Sequence, residues 1–329
     1  MWVASGPMGT GRMRADRATG ADDPPVDDPP VDDTVILAID IGGTKLAAGL
    51  VTATGTVLDH RQVPTQQKGR DGEQLFVALV DLVAGVRSAA EDRGDPAPVA
   101  CGIGSGGPML RGGLTVSPTN IPAWRQFPLC DRMAEVVGLP TYVDNDAKAL
   151  ALAEGWQGAA VGCHNYLGMV VSTGVGGGIV LDGRLLDGAQ ANAGHIGHIT
   201  VEPDGHLCRC GNRGCLEAEA SGTGIAAITG RPPAEAGPEV IERTGRLVGR
   251  AVATVATLLD LQLAVVAGSV ALGFGEPFFA AAQAEISRRA CLDFARGCVI
   301  RPAALGGDAP IVGAAAVGLR GMGWPVGIG

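Results

Sequence analysis

The chain of 329 residues is long enough for about two domains of ordinary size, each with its own hydrophobic core. With 46% hydrophobic and 18% charged residues, the composition excludes a protein that is disordered throughout. The formal net charge is −9, and this acidic excess offers no basic surface for nucleic acid, so we expect no nucleic-acid partner.

The sequence shows neither a membrane span nor a secretory signal. Its longest apolar stretch, residues 247–273, is interrupted by Arg250 and Asp260, so it lacks the roughly 18 uninterrupted apolar residues that a transmembrane helix needs. The N terminus lacks the charged start and the apolar core that a secretory signal combines. We therefore expect a cytoplasmic protein without a membrane partner.

The predicted secondary structure begins at Thr34. Residues 1–33 contain the run Asp-Asp-Pro-Pro-Val twice, and like charges combined with proline predict a disordered segment. Beyond it, apolar runs and helical spacing predict, in chain order, strands at 35–39, 46–51 and 57–63, a helix at 73–93, a strand at 99–103, a helix at 129–137, a strand at 141–143, a helix at 147–155, strands at 166–172 and 178–181, a helix at 240–259, a strand at 263–267 and a helix at 277–290.

The order of these elements indicates an α/β fold, because strands alternate with helices. Three consecutive strands joined by short turns precede a helix and a strand, and a strand–glycine–strand signal of the same kind returns after Tyr166. This repetition predicts two related halves. Ligands in such folds bind at the carboxyl ends of strands, so we expect the site between the halves.

Three glycine-containing turns follow predicted strands and are candidates for binding a nucleotide. The first, Asp40–Lys45, combines two glycines, which let backbone N–H groups approach an anion, with a threonine and a lysine, and this suits a phosphate. An ordinary hairpin turn explains the same glycine pair equally well. The second turn, Thr173–Gly178, suits another part of the same polyphosphate. The third, Gly268-Ser269, leaves the backbone open for adenine or ribose.

Two familiar phosphate-binding motifs are disfavoured. The first turn lacks the G-x-x-x-x-G-K spacing of a Walker loop. The segment Gly102–Gly107 matches G-x-G-x-x-G, but Pro108 follows and no helix opens there, so a dinucleotide site is not expected.

The sequence Asp144-Asn145-Asp146 lies where a predicted strand meets a predicted helix. A carboxylate at this edge of the sheet faces any cleft there and can accept the proton of an attacking sugar hydroxyl, as kinase aspartates do. The alternative role is an N-cap for the helix that begins at Ala147. One aspartate can cap while the other catalyses, and the residues alone do not separate the two roles.

A cluster of cysteines and histidines predicts a metal site. Three thiolates and one imidazole make a complete tetrahedral set for zinc, and the predicted ligands are His198, Cys208, Cys210 and Cys215. Four protein ligands leave no open coordination position, so the zinc is expected to be structural. His195 and His206 are alternative fourth ligands, and a metal-free cluster of reduced cysteines is the remaining alternative.

Taken in order, these motifs resemble those of the ROK family (repressors, open reading frames and sugar kinases), whose members have the actin/hexokinase-like ATPase fold. The resemblance runs from about Val35 to Arg320. The segments that carry it are Asp40–Lys45, Gly102–Pro108, Asn120–Trp124, Asn145–Ala147, Thr173–Gly178, Gly197-His198 and Cys208–Glu217.

The resemblance implies a two-lobed α/β ATPase fold of the ribonuclease H-like type with an inserted zinc loop. We expect a disordered segment at 1–33, a small domain at 34–143, and a large domain at 144–307 that carries the zinc loop 198–215. A C-terminal helix at about 308–321 is expected to pack back on the small domain. We also expect a homodimer or a homotetramer.

The resemblance also assigns roles to individual residues. Asp146 matches the catalytic base, and His198 matches a histidine that binds zinc through one ring nitrogen and the sugar through the other, which favours it over the two alternative ligands. The implied sugar-binding residues are Gly107, Asn120, Asn145, His195, His198 and Glu217. The expected nucleotide-binding residues are Asp40, which is also implied to lie near magnesium, Gly42, Gly43, Thr44, Lys45, Thr173, Gly174, Gly176 and Gly268.

Three positions depart from the family pattern. His195 stands where the family's sugar kinases usually have Glu, Gly106 where Pro is usual, and Lys148 where Asn is usual. Glutamate only accepts hydrogen bonds, whereas neutral imidazole donates one and accepts one, so the preferred pattern of hydroxyl or amino groups on the sugar should differ. The alternative is that His195 replaces the usual residue only sterically.

The expected function is phosphorylation, with ATP and Mg²⁺, of the 6-hydroxyl of a glucose-like hexose or amino-hexose. Glucose is the simplest candidate substrate. Because of His195, a specialised amino sugar of a biosynthetic pathway, such as kanosamine or glucosamine, is nearly as strong a candidate. A ROK-type sugar-responsive repressor is disfavoured because such proteins carry a winged-helix domain before the first turn, where this chain has 39 residues, the last of them acidic and proline-rich. A catalytically silent sugar-binding protein is disfavoured by Asp146.

Overall fold

A computed structural model describes residues 33–65 and 71–326. The predicted disordered segment, apart from Asp33, lies outside the described residues. Among the helices in the two described ranges, none is both long and apolar enough to cross a membrane.

The described residues form ten strands and nine α-helices. The strands are β1 (Val35–Ile41), β2 (Lys45–Thr52), β3 (Val57–Pro64), β4 (Ala100–Ser105), β5 (Thr141–Asn145), β6 (Tyr166–Val171), β7 (Val175–Leu181), β8 (Arg184–Leu185), β9 (Leu263–Ala267) and β10 (Val299–Pro302). The helices are α1 (Gly72–Arg93), α2 (Leu129–Val137), α3 (Asp146–Gln157), α4 (Leu216–Ala220), α5 (Gly222–Thr229), α6 (Pro238–Leu259), α7 (Ser269–Phe274), α8 (Glu276–Arg289) and α9 (Ala309–Gly321).

The strands form two five-stranded sheets with the same topology. The order is β3-β2-β1-β4-β5 in the first sheet and β10-β9-β6-β7-β8 in the second. β1 pairs antiparallel with β2 and parallel with β4, just as β6 pairs antiparallel with β7 and parallel with β9. The predicted α/β class and the repetition of one arrangement in two halves are confirmed.

Each sheet has a helical layer that buries its outer face. α1 begins at a capping box between Asp71 and Gln74, and it ends at Gly94, whose left-handed backbone suits glycine. Its buried side, including Leu79, packs in one core with β1 and β4. On the second sheet, α6 and α8 form the corresponding core, in which Val248 is fully buried.

A third core joins the two sheets through α3 and α9. It combines residues of β1 and β9 with alanines of both helices, and these small side chains let the layers approach closely. At Gly102 on β4 a Cβ would overlap the carbonyl oxygen of Ala314 in α9, so only glycine permits this contact. The last helix, α9, packs on β1 and β4 as well as on α3.

The predicted strands and helices are all present, but several short elements were not predicted. These are β8, β10, α4, α5 and α7. They span only two to eight residues, which is too short for a helical period to be recognised, and β10 contains the exposed pair Arg301 and Pro302, which interrupts an apolar run. β7 begins at Val175 rather than at Gly178, because its glycines lie against α3: a Cβ on Gly178 would come within 2.8 Å of the Ala151 Cβ.

Candidate active site

The candidate site lies at the carboxyl ends of the parallel strands. In the first sheet Asp40 of β1 pairs with Gly104 of β4, and Ser105 of β4 pairs with Asn145 of β5, so the three strands end side by side. The second sheet contributes through the segment that follows β8. A Cβ placed on Gly107 would lie 3.4 Å from Asn145 Nδ2 and 3.8 Å from His195 Cε1. The two halves therefore meet at these residues.

Asp146 is the first residue of α3, and its carboxylate is half-buried. Its neighbour Asn145 is the N-cap, since the Asn145 side chain accepts a hydrogen bond from Ala147 N at 3.0 Å. Ala147 N also donates to Asp146 Oδ1 at 2.8 Å. Burial raises the pKa of Asp146, while the backbone hydrogen bonds lower it in part. The capping role that the sequence left open thus belongs mainly to Asn145.

Asp144 has a different environment from Asp146. It is buried, and its carboxylate forms ion pairs with Lys148 at 2.9 Å and with Arg320 at 3.2 Å. Both carboxylate oxygens of Asp144 are occupied by these cations, so Asp146 is the better candidate for accepting a proton from a ligand.

Asp40 lies close to Asp146. A Cβ on Gly104 would be 3.4 Å from Asp40 Oδ1 and 3.7 Å from the Asp146 Cα, so the glycine between them leaves little separation. Burial, and then the negative charge of Asp146, raise the pKa of Asp40 to about 7. Two neighbouring carboxylates that resist ionisation together are a donor set that a divalent cation stabilises.

The first glycine turn is both a hairpin turn and one edge of the site. Gly42 N donates to Lys45 O at 2.9 Å, which closes the turn between β1 and β2. Thr65 holds the turn from outside, donating its hydroxyl to Gly42 O at 2.8 Å. A Cβ on Gly43 would lie 2.9 Å from the Asn120 Cβ, so the turn and the loop that carries Asn120 are in close contact. Thr44 and Lys45 are exposed.

The second glycine turn is held by residues of other segments. Glu217 Oε2 accepts a hydrogen bond from Val175 N at 3.0 Å, and a Cβ on Gly174 would lie 2.8 Å from the same oxygen. Thr223 donates its hydroxyl to Thr173 O at 2.9 Å. Glu217, which is expected to bind the sugar, therefore also fixes the second glycine turn. Gly176 follows in β7 with its backbone against the Ala147 side chain.

The third turn lies beside the second and opens on a pocket of about 660 Å³. Gly268 has φ +101° and packs against the carbonyl of Val171 in β6, which requires glycine on both counts. The Ser172 and Ser269 hydroxyls are 2.9 Å apart, so the two turns are joined. The pocket walls that the sequence did not indicate include Gly222, Thr223, Pro233, Ile241 and Phe274. They belong to α5, to α7, to the start of α6 and to the segment between α5 and α6, which carry no recognisable motif.

Two histidines of the candidate site lie close to each other. The ring centroids of His195 and His198 are 6.0 Å apart, and both residues are exposed. Desolvation lowers the pKa of His195, and the charges of His198 and Lys148 act in the same direction, while Glu217 opposes them. His195 is therefore favoured as a neutral imidazole, which donates one hydrogen bond and accepts another.

The four predicted zinc ligands come together. The ligand atoms of His198, Cys208, Cys210 and Cys215 all lie within 4.8 Å of one another. Cys208 Sγ is 3.7 Å from His198 Nδ1, and Cys210 Sγ is 3.6 Å from Cys215 Sγ. A tetrahedral zinc ion with bonds of about 2.3 Å to sulfur separates its ligand atoms by roughly 3.8 Å, so the cluster fits this ion.

The surroundings of the cluster also suit a cation. Burial and the neighbouring thiols raise the pKa of Cys215 to about 12, so several thiolates coexist only if a positive ion is bound between them. Of the alternative ligands, His206 directs its Nδ1 to Glu219 at 3.0 Å, and His195 is not part of the cluster. Because Nδ1 of His198 faces the cysteines, Nε2 is the ring nitrogen left for a second partner.

Comparisons with known proteins give this arrangement a family. A sequence model of the ROK family matches residues 36–320. The N-acetylmannosamine kinase of Escherichia fergusonii is 39% identical over 254 residues, a match that covers 73% of this chain and 84% of that relative.

Two solved structures are similar over most of their length. The ROK hexokinase from Thermus thermophilus is 33% identical with a TM-score of 0.75, and the match covers 87% of this chain and 98% of that one. The ROK family glucokinase from Streptomyces griseus, solved in complex with glucose and AMPPNP, is 30% identical with a TM-score of 0.73. This match covers 87% of this chain and 99% of the glucokinase chain. From the family match and the shared two-sheet fold it follows that the chain belongs to the ROK family.

Proposed function

We propose that the protein is an ATP-dependent kinase that transfers the γ-phosphoryl group of ATP to the 6-hydroxyl of a hexose. The observation that carries this proposal is the position of Asp146, beside Asp40 and between the sugar-side residues and the glycine turns. The similarity to relatives named as N-acetylmannosamine kinase and glucokinase supports the same chemistry.

For the sugar we propose an N-acylated amino hexose of the N-acetylmannosamine type. The relative of that name is 39% identical, compared with 30% for the Streptomyces griseus glucokinase. His195 supports this choice, because a neutral imidazole offers both a donor and an acceptor, as an amide group on the sugar requires. Glucose and the unacylated amino sugars glucosamine and kanosamine are the second candidates.

In the proposed reaction Asp146 accepts the proton of the 6-hydroxyl. The bond between that oxygen and the γ-phosphorus forms while the bond from phosphorus to the ADP oxygen breaks, and the proton passes to the Asp146 carboxylate. A pKa raised by burial makes this carboxylate a stronger base than a solvent-exposed aspartate.

The phosphates and their counter-ion belong on the other side of Asp146. When bound, Mg²⁺ neutralises phosphate charge, and Asp40 is the residue that would hold it or its water ligands. The exposed side chains of Thr44 and Lys45 in the first turn, and the backbone N–H groups of Thr173 and Gly174 in the second, would contact the phosphates. The pocket beside Gly268 suits the adenine and ribose.

The zinc cluster acts on structure rather than on the reacting atoms. With four protein ligands, bound zinc would hold the loop 198–215 in place. This loop ends at α4, whose Glu217 reaches the second glycine turn, so the ion would stabilise the sugar side and the phosphate side together.

The proposal is tested by ADP release with ATP, Mg²⁺ and a panel of sugars: N-acetylmannosamine, N-acetylglucosamine, glucosamine, kanosamine, mannose and glucose. We expect the highest kcat/KM with an N-acylated amino sugar, and NMR of the product should place the phosphate on O6. Sugar binding without turnover would instead indicate a silent binding protein. Sugar-dependent DNA binding without turnover would indicate a repressor.

A further inference from the structure

Four charged side chains form a closed ring beside the candidate site. Lys148 on α3 contacts Asp144 at 2.9 Å and Asp187 at 2.8 Å. Arg320 on α9 contacts the same aspartates at 3.2 Å and 2.6 Å. Lys148 uses Oδ1 of each carboxylate and Arg320 uses Oδ2, so every carboxylate oxygen has a cationic partner. We name these residues the Lys148 ring.

The Lys148 ring joins two segments that carry site residues. Asp144 lies in β5, two residues before Asp146. Asp187 lies after β8, at the start of the segment that leads to His195. Lys148 itself is in the first turn of α3, so its ammonium group connects the strand–helix junction to that second segment.

The segment from Asp187 to His195 is tied to the ring at two points. Ala193 N donates to Asp187 O at 3.0 Å, and Lys148 Nζ lies 3.5 Å from Ala191 O. A displacement of Asp187 would therefore also displace the residues just before His195.

Burial makes Lys148 the controlling member of the ring. Its side chain is only 1% exposed, whereas those of Arg320 and Asp187 are 36% and 34% exposed. An ammonium group removed from water requires its two carboxylates at short range, so it restricts the distance between Asp144 and Asp187. The more exposed pair between Arg320 and Asp187 contributes less, because water screens it.

We infer that Lys148 is a positioning residue that sets the placement of His195 relative to Asn145 and Asp146, and thereby the affinity for the sugar. This inference rests on the proposed sugar phosphorylation. The imidazole of His195 and the amide of Asn145 meet over Gly107, and the Lys148 ring ties together the two segments that carry them. Displacement of His195 should weaken sugar binding without an equal effect on ATP.

The test compares Lys148→Met, which keeps the side-chain length but removes the charge, with the wild type. We expect the KM for the preferred sugar to rise about 10-fold or more while the KM for ATP changes less than about 3-fold, because a small misplacement of a binding group is enough for such a loss. Asp187→Asn, at the more exposed corner of the ring, should shift the same constants in the same direction. It also provides a folded variant if Lys148→Met does not fold. Leu79→Ala, in the α1 core, is the control for lost stability alone.

A double-mutant cycle separates positioning from general damage. If Lys148 acts through His195, then Lys148→Met should change kcat/KM for the sugar much less in a His195→Ala background than in the wild type. Equal effects in both backgrounds, or equal increases of the two KM values, would overturn the inference while leaving the kinase activity in place. A wild type that phosphorylates no sugar of the panel would overturn the proposed function and this inference together.

Discussion

The aspartates of the site differ in what surrounds each carboxylate. Asp144 is held by two cations, whereas Asp146 and Asp40 lie close to each other and both have raised pKa values. Asn145 supplies the helix cap, which leaves most of the hydrogen-bonding capacity of Asp146 for a ligand. Three aspartates thus have different environments, which follow from burial and from neighbouring charge.

Replacing Asp146 by Asn should reduce kcat by at least about 10²-fold, because removal of a general base has effects of about 10²–10⁴. The shape of the side chain is kept, so sugar binding should survive, and calorimetry of the variant with the preferred sugar measures it. A variant with nearly full turnover would show that Asp146 is only part of the helix terminus.

Replacing Asp40 by Asn should stabilise the metal-free protein at alkaline pH. The pKa of Asp40 in the folded protein is about 7, against an ordinary value of 3.8. Between these values the folded chain holds a proton that the unfolded chain has lost, so this group lowers the stability of the wild type as the pH rises towards 7. The amide of the variant does not titrate, so the variant lacks this loss. The measurement is the Tm of both proteins in the presence of EDTA, at about pH 8 and at about pH 5. We expect the Tm of Asp40→Asn to exceed that of the wild type by a larger margin at about pH 8, which is above the folded pKa, than at about pH 5. An equal difference at both values would contradict the assignment.

At the scale of elements, the cluster of predicted zinc ligands connects a loop to a helix and a turn. Cys215 is the last ligand and also the residue before α4, and two residues later Glu217 holds the second glycine turn. The ligands His198 and Cys215 bracket the loop, which is closed by hydrogen bonds such as that from Cys208 N to Asn212 O at 2.7 Å. A change at the cluster should therefore alter the positions of both His198 and the second glycine turn.

Cys210→Ser should lose bound metal, lower Tm, and raise KM for both sugar and ATP, because the ligand set is incomplete and the loop is no longer held. Metal analysis of the wild type should give about one zinc per chain. Cys291→Ser is the matched control, since Cys291 is an exposed free cysteine outside the cluster. A fully active wild type without metal would refute the structural zinc.

At the scale of the whole molecule, the two sheets are joined through the helices α3 and α9. Both helices are rich in small residues where they touch each other and the strands, so their backbones come into direct contact. This close packing places the carboxyl ends of the strands of both sheets at one cleft. The relative positions of the two glycine turns, Asp146 and His195 depend on that placement.

Gly102→Ala should separate α9 from β4 and destabilise the protein by about 1–3 kcal/mol or more, because the added methyl group has no space against a backbone carbonyl. Gly307→Ala is the control, since a Cβ there meets no atom within 4 Å. Urea unfolding of both variants measures the difference. Equal stabilities would show that the contact at Gly102 relaxes without strain.

The local patterns of the sequence were sufficient to predict where the long helices and strands lie. Helical spacing placed α1 and α6, and buried apolar runs placed β1 and β9, because each of these elements buries a continuous side of its own. The close spacing of Cys208, Cys210 and Cys215 was sufficient to predict that these three thiols lie together, as they do in the structure. The ordered set of motifs was sufficient to predict membership of the ROK family, which the comparisons confirm.

Other features depend on contacts between distant residues, which no local pattern records. The different environments of Asp144 and Asp146, and the pocket walls at Thr223 and Phe274, follow from packing between segments far apart in the chain. The Lys148 ring is the clearest example, since it joins Asp144 to Asp187 and Arg320. Charges so far apart in the chain pair only because the folded sheets and α9 bring them together, and burial then makes the pairing obligatory.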